Sequence, residues 1–247
     1  MRLLSIGNSF SQNAHHWLHE IAREKGDEID TFNLYIGGCS LEKHWKGVFS
    51  GLEYDLEGNG GEKLGRSTVA DALDREPFDV ITLQQCSSLS GRPQTYLPYL
   101  PNLAAMVKGN QRKAKILFHK TWSYDVGTES DAFHAYNDDQ QEMFRRISDA
   151  ARMASKLINA EIIPAGDAVQ AVRDNVKAFD MAQGGLSLCR DGKHLTATYG
   201  QFTAAAAWYR ALTGNMADGE KFAAEHPEFD PALVRAILEQ VAGVFAG

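Results

Sequence analysis

Short apolar runs alternate along this chain with longer segments in which apolar and polar residues recur at helical spacing. The short runs are bounded by glycine, proline or polar residues, which is typical of β-strands. They predict strands at Arg2–Gly7, Ile29–Ile36, Asp79–Gln84, Lys115–Thr121 and Glu161–Pro164. The longer segments predict helices at Gln12–Lys25, Ser67–Arg75, Tyr96–Gly109, Asp139–Asn159, Ala168–Lys177, Ala197–Leu212, Ala217–Glu225 and Pro231–Phe245.

Strands that alternate with helices favour βαβ units. We therefore expect an α/β fold, a three-layer α/β/α sandwich in which helices cover both faces of a parallel sheet of about five strands. The stretch Gly47–Gly65 is rich in glycine and acidic residues and predicts an irregular insertion, while Ser87–Pro101 and Asp180–Lys193 predict long loops. The sequence has no internal repeat, so we expect residues 1–247 to form a single domain.

The composition is that of an ordinary globular protein, with 44% hydrophobic and 23% charged residues. A formal net charge of -7 gives no electrostatic support to a nucleic-acid partner or an anionic membrane. We expect a cytoplasmic protein, because no cationic leader precedes the first predicted strand and no apolar stretch reaches the length of a membrane span. The odd, widely spaced cysteines do not predict a disulfide framework; they are Cys39, Cys86 and Cys189.

Ser9 follows the first predicted strand and opens the helix after it. In an open parallel sheet, ligands bind beyond the carboxyl ends of the strands. A serine at this position has the free N–H groups and the positive end of a helix beside it, which suits a site where an oxyanion develops. A simpler alternative is that Ser9 or Ser11 is the N-cap of the helix.

A carboxylate and an imidazole, Asp191 and His194, precede the predicted helix Ala197–Leu212. With Ser9 they are the residue types of nucleophilic acyl transfer, in which histidine removes the serine proton and aspartate orients the imidazole. The doubly wound topology permits the last loop to lie beside the end of the first strand. Alternatively, Asp191 is a loop or capping carboxylate and His194 is a surface histidine.

The blocks at 7–9 (Gly-Asn-Ser) and 191–194 (Asp-Gly-Lys-His) resemble the first and last motifs of the SGNH/GDSL hydrolase superfamily, with Asn8 where aspartate is usual. The chain most resembles a poorly characterised branch near the sialate O-acetylesterase-like carbohydrate esterases. The resemblance implies a flavodoxin-like strand order, one SGNH-hydrolase-like domain over residues 1–247 and an ester hydrolase that acts through an acyl-enzyme. It also implies no cofactor, no metal and a small-molecule ester substrate with a short acyl group, an acetylated sugar being one candidate.

Two further blocks of that superfamily supply donors to the oxyanion. The Gly-Gly pair after the second predicted strand resembles the second block and implies that the Gly38 N–H acts beside the Ser9 N–H; a tight turn that needs glycine is the alternative. The usual Gly-x-Asn of the third block is absent. Gln84 and Gln85 stand there instead, followed by Cys86, and resemble the block of carbohydrate acetylesterases. This implies Gln85 as a third donor and Gln84 as a substrate-binding residue, unless both cap the sheet edge or bind water.

Three aromatic residues follow predicted strands and are expected at the same rim: Trp45, Trp122 and Tyr124. Their faces suit a sugar ring or an acyl chain, so they are candidate substrate-binding residues. The alternative is that they are partly buried packing residues. His119, near the end of the fourth predicted strand, is the base that we would consider if His194 did not serve.

Two sets of residues raise the question of a metal. His15 and His19 share a helix face but lack the glutamate of a His-Glu-x-x-His motif. The cysteines could converge near His194 as a zinc set, but no two of them form a Cys-x-x-Cys pair. We therefore expect no metal site.

The alternative to an enzyme is a non-catalytic flavodoxin-like module that binds a small ligand, since a fold does not fix function. Nucleotide binding has little support, because neither a Gly-x-Gly-x-x-Gly turn after a strand nor a Walker A sequence is present. The proposed triad discriminates between the two alternatives, because a binding module has no use for an activated serine. The sequence leaves the natural ester and the oligomeric state open.

Overall fold

Strand β1 (Arg2–Gly7) lies at the centre of a mixed β-sheet and is buried at every residue after Arg2. The computed structural model describes residues 1–246, and within them the other strands are β2 (Asp30–Tyr35), β3 (Tyr54–Glu57), β4 (Lys63–Ser67), β5 (Val80–Leu83), β6 (Lys115–His119) and β7 (Glu161–Ile163). They form one sheet in the order β4-β3-β2-β1-β5-β6-β7.

The strands β2-β1-β5-β6-β7 run parallel to one another. Numbered among themselves, they have the order 2-1-3-4-5, which is the flavodoxin-like order. Gly7 pairs with Tyr35 of β2, and Ile6 pairs with Leu83 of β5, so these strands end at the same edge of the sheet. The predicted α/β class, the parallel strands and their order are confirmed.

The predicted irregular insertion at Gly47–Gly65 is wrong. Strands β3 and β4 form an antiparallel hairpin there and extend the sheet beyond β2, so the sheet of residues 1–246 has seven strands instead of about five. The hairpin leaves little hydrophobic signal in the sequence, because β3 has only four residues and β4 is exposed at all but Ser67.

The helices bear the labels α1 to α11 in chain order. They are α1 (Ser9–His15), α2 (Leu18–Glu24), α3 (Leu41–Ser50), α4 (Val69–Arg75), α5 (Tyr99–Asn110), α6 (Asp131–His134), α7 (Gln140–Ile158), α8 (Ala165–Asn175), α9 (Tyr199–Thr213), α10 (Gly219–Glu225) and α11 (Pro231–Val244). Short 3-10 helices lie at Asn59–Gly61, Ser87–Leu89, Pro93–Thr95, Lys177–Phe179 and Met181–Gln183.

Two helix predictions need correction. The segment predicted as one helix, Gln12–Lys25, is divided between α1 and α2, and α1 begins already at Ser9 because Asn8 caps it. Helix α3 was not predicted; it begins after the N-cap Ser40, whose side chain accepts from Lys43 N, and ends at a left-handed Gly51.

The helices pack against the sheet from both faces, as predicted. Leu3 of β1 belongs to a hydrophobic cluster with residues of α1, α2, α8, α9, α10 and α11, whereas its neighbour Leu4 belongs to a second cluster with α3, α4 and α5. Helix α7 contributes to both clusters. Because successive strand residues point to opposite faces, this alternation gives the three-layer sandwich. Within residues 1–246, no helix is both long and apolar enough to cross a membrane.

Candidate active site

Ser9 is the first residue of α1, directly beyond the carboxyl end of the central strand. The cap of this helix is Asn8: its Oδ1 accepts from Phe10 N at 3.0 Å, and Ser11 Oγ accepts from Asn8 N at 3.0 Å. These reciprocal bonds form a capping box, in which Ser9 takes no part. The alternative that Ser9 or Ser11 is the N-cap is therefore wrong, and the Ser9 hydroxyl is left for another partner.

That partner is His194. Ser9 Oγ lies 3.0 Å from His194 Nε2, and His194 Nδ1 lies 2.6 Å from Asp191 Oδ2. Because a carboxylate only accepts hydrogen bonds, Nδ1 carries the hydrogen and Nε2 presents a lone pair to the Ser9 hydroxyl. The structure thus brings together the serine, histidine and aspartate that the sequence singled out, and the exposed fraction of Ser9 is 7%.

Asp191 remains a carboxylate over a wide pH range. Its partial burial favours the neutral acid, but hydrogen bonds from the backbone and side chain of His194 and from Lys193 N outweigh it and lower the pKa of Asp191 to about 2. The backbone bonds are both to Oδ1, at 2.7 Å from His194 N and 3.0 Å from Lys193 N. One carboxylate oxygen therefore fixes the loop, while the other fixes the imidazole.

The loop that carries Asp191 and His194 is held by hydrogen bonds between its two ends. Cys189 and Leu195 form an isolated antiparallel bridge, and Arg190 N donates to His194 O at 2.8 Å. Leu195 N also donates to Asn13 Oδ1 of α1 at 2.8 Å. The helix of the nucleophile and the loop of the base are therefore directly connected.

The segment after β6 holds the other side of this loop. Asp125 N donates to Gly192 O, and Trp122 Nε1 donates to Lys193 O, each at 2.8 Å. Gly192 has a φ of +77°, and a Cβ built there would lie 2.3 Å from Thr128 Oγ1. Glycine is needed at this position both for its backbone conformation and for this close contact.

A buried ion pair anchors the same segment. Arg173 of α8 pairs with the Asp125 carboxylate, and both side chains are at most 5% exposed. Arg173 Nη1 also donates to Ser123 O at 3.0 Å, and Ser187 Oγ donates to the second oxygen of Asp125. The pair therefore joins α8, the segment after β6 and the loop before Asp191.

Gly38 lies in a tight turn after β2, which is the structural alternative that the sequence offered for this glycine. Cys39 N donates to Ile36 O at 3.1 Å, and Gly38 is exposed with a φ of +62°. The turn is tied to the nucleophile segment, because Asn8 Nδ2 donates to Cys39 O at 3.1 Å. A turn role and a role for the Gly38 N–H in the site are compatible.

Gln85 is not placed to act as an oxyanion donor. Its Nε2 donates to Thr95 Oγ1 at 3.1 Å and to Thr95 O at 3.2 Å, which uses both amide hydrogens. Its Oε1 accepts from Leu41 N and Cys86 N. The side chain is 1% exposed and acts as a structural connector, so this prediction is corrected.

The Gln84 amide is hydrogen-bonded through both its nitrogen and its oxygen and is 1% exposed, so it does not reach a substrate directly. Its Nε2 donates to Asn8 Oδ1 at 2.7 Å, and its Oε1 accepts from His119 Nδ1 at 2.7 Å. His119 is 0% exposed, and burial lowers its pKa to about 3. It is thus a neutral core residue bound to Gln84, whereas His194 is the histidine that contacts Ser9.

Two of the three candidate aromatic residues are buried supports. Trp122 is 0% exposed and stacks on Phe10 at 4.2 Å, and Tyr124 is 2% exposed with its hydroxyl 2.8 Å from Ser87 Oγ. The prediction that they present faces to a substrate is wrong, because tertiary packing covers them. Trp45 on α3 is half-buried and packs edge to face on the exposed Phe49, so its role stays a prediction.

The residues considered for a metal contact other groups instead. Cys39 Sγ contacts His44 Nδ1, and Cys189 Sγ lies beside the Arg173 guanidinium. His15 is buried against Ser5, whereas His19 Nδ1 bonds Ile29 O. Across residues 1–246, no three histidine, cysteine, aspartate or glutamate residues form a group that could hold a metal ion.

Sequence reasoning missed several residues that hold the site. Asn8 stands where aspartate is usual in the SGNH motif, and its amide caps α1 and holds the Gly38 turn. Asparagine is a preferred N-cap residue, so Asn8 directly after the first strand was a local signal available in the sequence. Asn13 and Glu57 left no such signal, because their partners are distant: Leu195 N for Asn13, and Gln12 and Asn33 for Glu57.

The sequence matches, over residues 2–233, the model of a family described as a domain of unknown function, DUF4886. The chain belongs to the DUF4886 family. A crystal structure of a DUF4886 family protein from Bacteroides uniformis is 31% identical, with a TM-score of 0.86, and the alignment covers 100% of this chain and 95% of that one. No curated protein matches the sequence.

More distant solved structures share the fold of this DUF4886 protein. A proposed SGNH hydrolase from Slackia heliotrinireducens is 19% identical, with a TM-score of 0.57 over 86% of this chain and 98% of that one. A catalytic mutant of Axe2, an acetylxylan esterase from Geobacillus stearothermophilus, is 12% identical, with a TM-score of 0.55 over 86% of this chain and 94% of that one. At these identities the likeness shows a shared fold, and these neighbours give no support to the sialate O-acetylesterase branch in particular.

Proposed function

We propose that this DUF4886 protein is a serine ester hydrolase that acts through an acyl-enzyme. Ser9 is the nucleophile, His194 the general base and acid, and Asp191 the group that orients the imidazole. The observation that carries the proposal is the pair of distances from His194, 3.0 Å to Ser9 Oγ and 2.6 Å to Asp191 Oδ2. A histidine with one nitrogen on a hydroxyl and the other on an ionised carboxylate is built to accept the hydroxyl proton.

In the acylation step, Ser9 Oγ attacks the ester carbonyl carbon while its proton moves to His194 Nε2. The carbonyl π-electrons move to oxygen and form a tetrahedral oxyanion. When this intermediate collapses, the bond to the alcohol oxygen breaks, and His194 returns the proton to the leaving alcohol. Asp191 stabilises the imidazolium that exists between these two proton transfers.

The oxyanion needs preorganised donors. Because the Gln85 amide is bonded to Thr95, the two candidate donors are the backbone N–H groups of Ser9 and Gly38. The Ser9 N–H lies at the first residue of α1, where the helix leaves N–H groups without helical partners. The Gly38 N–H lies in the turn that Asn8 Nδ2 holds through Cys39 O. Both would stabilise negative charge on the former carbonyl oxygen, with the positive end of α1 adding to the effect.

In the deacylation step, a water molecule takes the place of the alcohol. His194 accepts a proton from this water as its oxygen attacks the acyl carbon, and the same histidine then protonates Ser9 Oγ as the acid product leaves. The cycle consumes one water and needs no metal or organic cofactor. The catalytic residues lie at positions 9, 191 and 194, and α8 to α11 share one hydrophobic cluster with β1, which supports a single catalytic domain over residues 1–247.

We propose short acyl esters as the substrate class, with acetyl esters of sugars as the first candidates. The low exposure of Ser9, 7%, favours a small acyl group. The acetyl-sugar candidate rests on the motif resemblance to carbohydrate esterases and on the fold shared with the acetylxylan esterase.

The test is the hydrolysis of p-nitrophenyl acetate, p-nitrophenyl octanoate and acetylated xylose by the wild type and by Ser9→Ala. Ser50→Ala, at an exposed serine on α3, is the control for the substitution itself. We expect turnover of the acetates in the wild type and in Ser50→Ala, and none in Ser9→Ala. Equal turnover in Ser9→Ala would contradict the proposed nucleophile.

A further inference from the structure

A chain of buried hydrogen bonds runs from the residue before the nucleophile into the core. Gln84 Nε2 donates to Asn8 Oδ1, and His119 Nδ1 donates to Gln84 Oε1, each at 2.7 Å. The exposed fractions of Asn8, Gln84 and His119 are 1%, 1% and 0%. We infer that Gln84 and His119 are positioning residues, which act through Asn8 to hold the two proposed oxyanion donors in place. The inference rests on the proposed esterase function.

The orientation of each group in this chain follows from its neighbours. Asn8 Nδ2 donates to Cys39 O at 3.1 Å, so Asn8 Oδ1 faces Gln84 and the Phe10 N–H. Gln84 must then present Nε2 to Asn8 and Oε1 to His119, whose Nδ1 carries the hydrogen. Burial lowers the pKa of His119 to about 3, so the imidazole is neutral at the pH at which an esterase would act.

Asn8 connects the two parts of the site that supply donors. Its Oδ1 caps α1, where the Ser9 N–H lies, and its Nδ2 holds the turn that contains Gly38. Rotation of the Asn8 amide would change the separation of these two N–H groups. Gln84 and His119 oppose that rotation, because it would leave their own buried polar atoms unpaired. Small displacements matter here, because a donor must face the position of the oxyanion.

Gln111 offers a matched control at the other end of the same strand. Gln84 directly follows β5, whereas the Gln111 amide bonds backbone groups between Leu73 and Phe78, before β5 begins. In both glutamines the amide nitrogen donates and the amide oxygen accepts a hydrogen bond, and each side chain thereby fixes one end of β5. Of these two glutamines, only Gln84 contacts Asn8. If Gln84 had a purely structural role, substitution of either glutamine should change kcat to the same extent, whereas a positioning role predicts a loss of kcat only at Gln84.

The experiment compares Gln84→Met with Gln111→Met in the full chain, using kcat and KM for p-nitrophenyl acetate corrected for the folded fraction. We expect Gln84→Met to lower kcat by about 10²-fold, which is the effect of a misplacement of roughly 1 Å in an active site. KM should stay close to the wild-type value. Gln111→Met should lower Tm but leave the kcat of the folded protein unchanged.

A second pair of variants tests the same inference from His119. The side-chain N–H of asparagine lies near the position of histidine Nδ1, so His119→Asn keeps a donor for Gln84 Oε1, whereas His119→Leu removes it. We expect His119→Asn to retain most of the wild-type kcat and His119→Leu to lose as much as Gln84→Met. If Gln84→Met does not fold, this pair decides the question.

The outcomes separate the two proposals. A normal kcat in Gln84→Met or in His119→Leu, with an active wild type, overturns the positioning role and leaves the Ser9 chemistry intact. Equal kcat losses in Gln84→Met and Gln111→Met, or in the two His119 variants, overturn it as well, because they indicate a general structural effect. A folded wild type that hydrolyses no ester overturns the esterase proposal, and the positioning role with it.

Discussion

Ser9 Oγ lies 3.0 Å from His194 Nε2, although the two residues are 185 positions apart in the chain. The contact depends on the packing of α1 against α9 and on the hydrogen bond from Leu195 N to Asn13 Oδ1. Helix α1 and the loop before α9 must therefore be packed together before the serine meets its base. Any change that separates α1 from α9 should abolish turnover before it removes the secondary structure.

Asp191→Asn tests the orienting carboxylate. The amide oxygen could still accept from the backbone N–H groups of Lys193 and His194, so the loop should keep its conformation. The amide nitrogen, however, would donate to His194 Nδ1 and favour the wrong tautomer of the imidazole. We expect kcat for p-nitrophenyl acetate to fall by about 10⁴-fold with an unchanged circular dichroism spectrum. A kcat close to that of the wild type would exclude this role for Asp191.

Gly192→Ala should damage the loop that presents His194. Alanine is unfavourable at a φ of +77°, and its Cβ would lie 2.3 Å from Thr128 Oγ1. Gly184→Ala is the matched control, since its φ is +80° but its added Cβ would meet no described atom within 4 Å. We expect both to lower the free energy of unfolding, Gly184→Ala by about 1 kcal/mol and Gly192→Ala by more, and only Gly192→Ala to lower kcat.

The steric part of that prediction has its own check. Thr128→Ala removes the hydroxyl and methyl groups that the new Cβ would meet. The Gly192→Ala change should therefore cost less free energy of unfolding in the Thr128→Ala background than in the wild type. Strict additivity of the two changes in free energy would argue against the predicted contact.

The buried pair of Arg173 and Asp125 should be sensitive to the loss of one partner. Arg173→Met leaves the Asp125 carboxylate without its cation in a site where it is 3% exposed. We expect the free energy of unfolding in urea to fall by about 3–5 kcal/mol. Arg173→Met/Asp125→Leu should lose less than Arg173→Met alone, because no unpaired charge remains buried. A double variant that is less stable than Arg173→Met would contradict this explanation.

His44 predicts a dependence of stability on pH. Burial, with a smaller effect of Lys43, lowers the pKa of His44 from 6.5 to about 3 in the folded protein. Below pH 6.5 the unfolded chain therefore binds a proton at His44 that the folded protein does not, so stability is lost as the pH falls toward 3. We expect His44→Asn to reduce the slope of unfolding free energy against pH between 4 and 5.5 by about 1.4 kcal/mol per pH unit. Parallel curves for the two proteins would contradict the low pKa.

The sequence predicted those features whose signal is local. The parallel strands are short apolar runs, and the three proposed catalytic residues lie in two short motifs at a strand end and before a helix. Chain topology then brings these motifs together, because a doubly wound sheet places its strand ends at one edge. The hairpin of β3 and β4 had no such signal, since β4 is almost wholly exposed.

The errors concern residues whose environment is set by distant parts of the chain. Gln85 is occupied by Thr95 and by Leu41, and neither contact can be read from the Gln-Gln pair itself. Trp122 and Tyr124 follow β6 as predicted, but packing from α1 and from the loop at Ser87 covers them. A motif thus identifies the residue types of a site, while tertiary packing decides which of them face the ligand.

The most direct test of the central claim is the mass of the intact protein after incubation with a fluorophosphonate, followed by peptide mapping. Ser9 Oγ would attack phosphorus, its proton would pass to His194, and fluoride would leave, so that one phosphonyl group stays on the protein. We predict a single adduct on Ser9 in the wild type and none in Ser9→Ala or His194→Ala. A folded wild-type protein that gains no adduct, or gains it on another residue, would contradict Ser9 as the activated nucleophile.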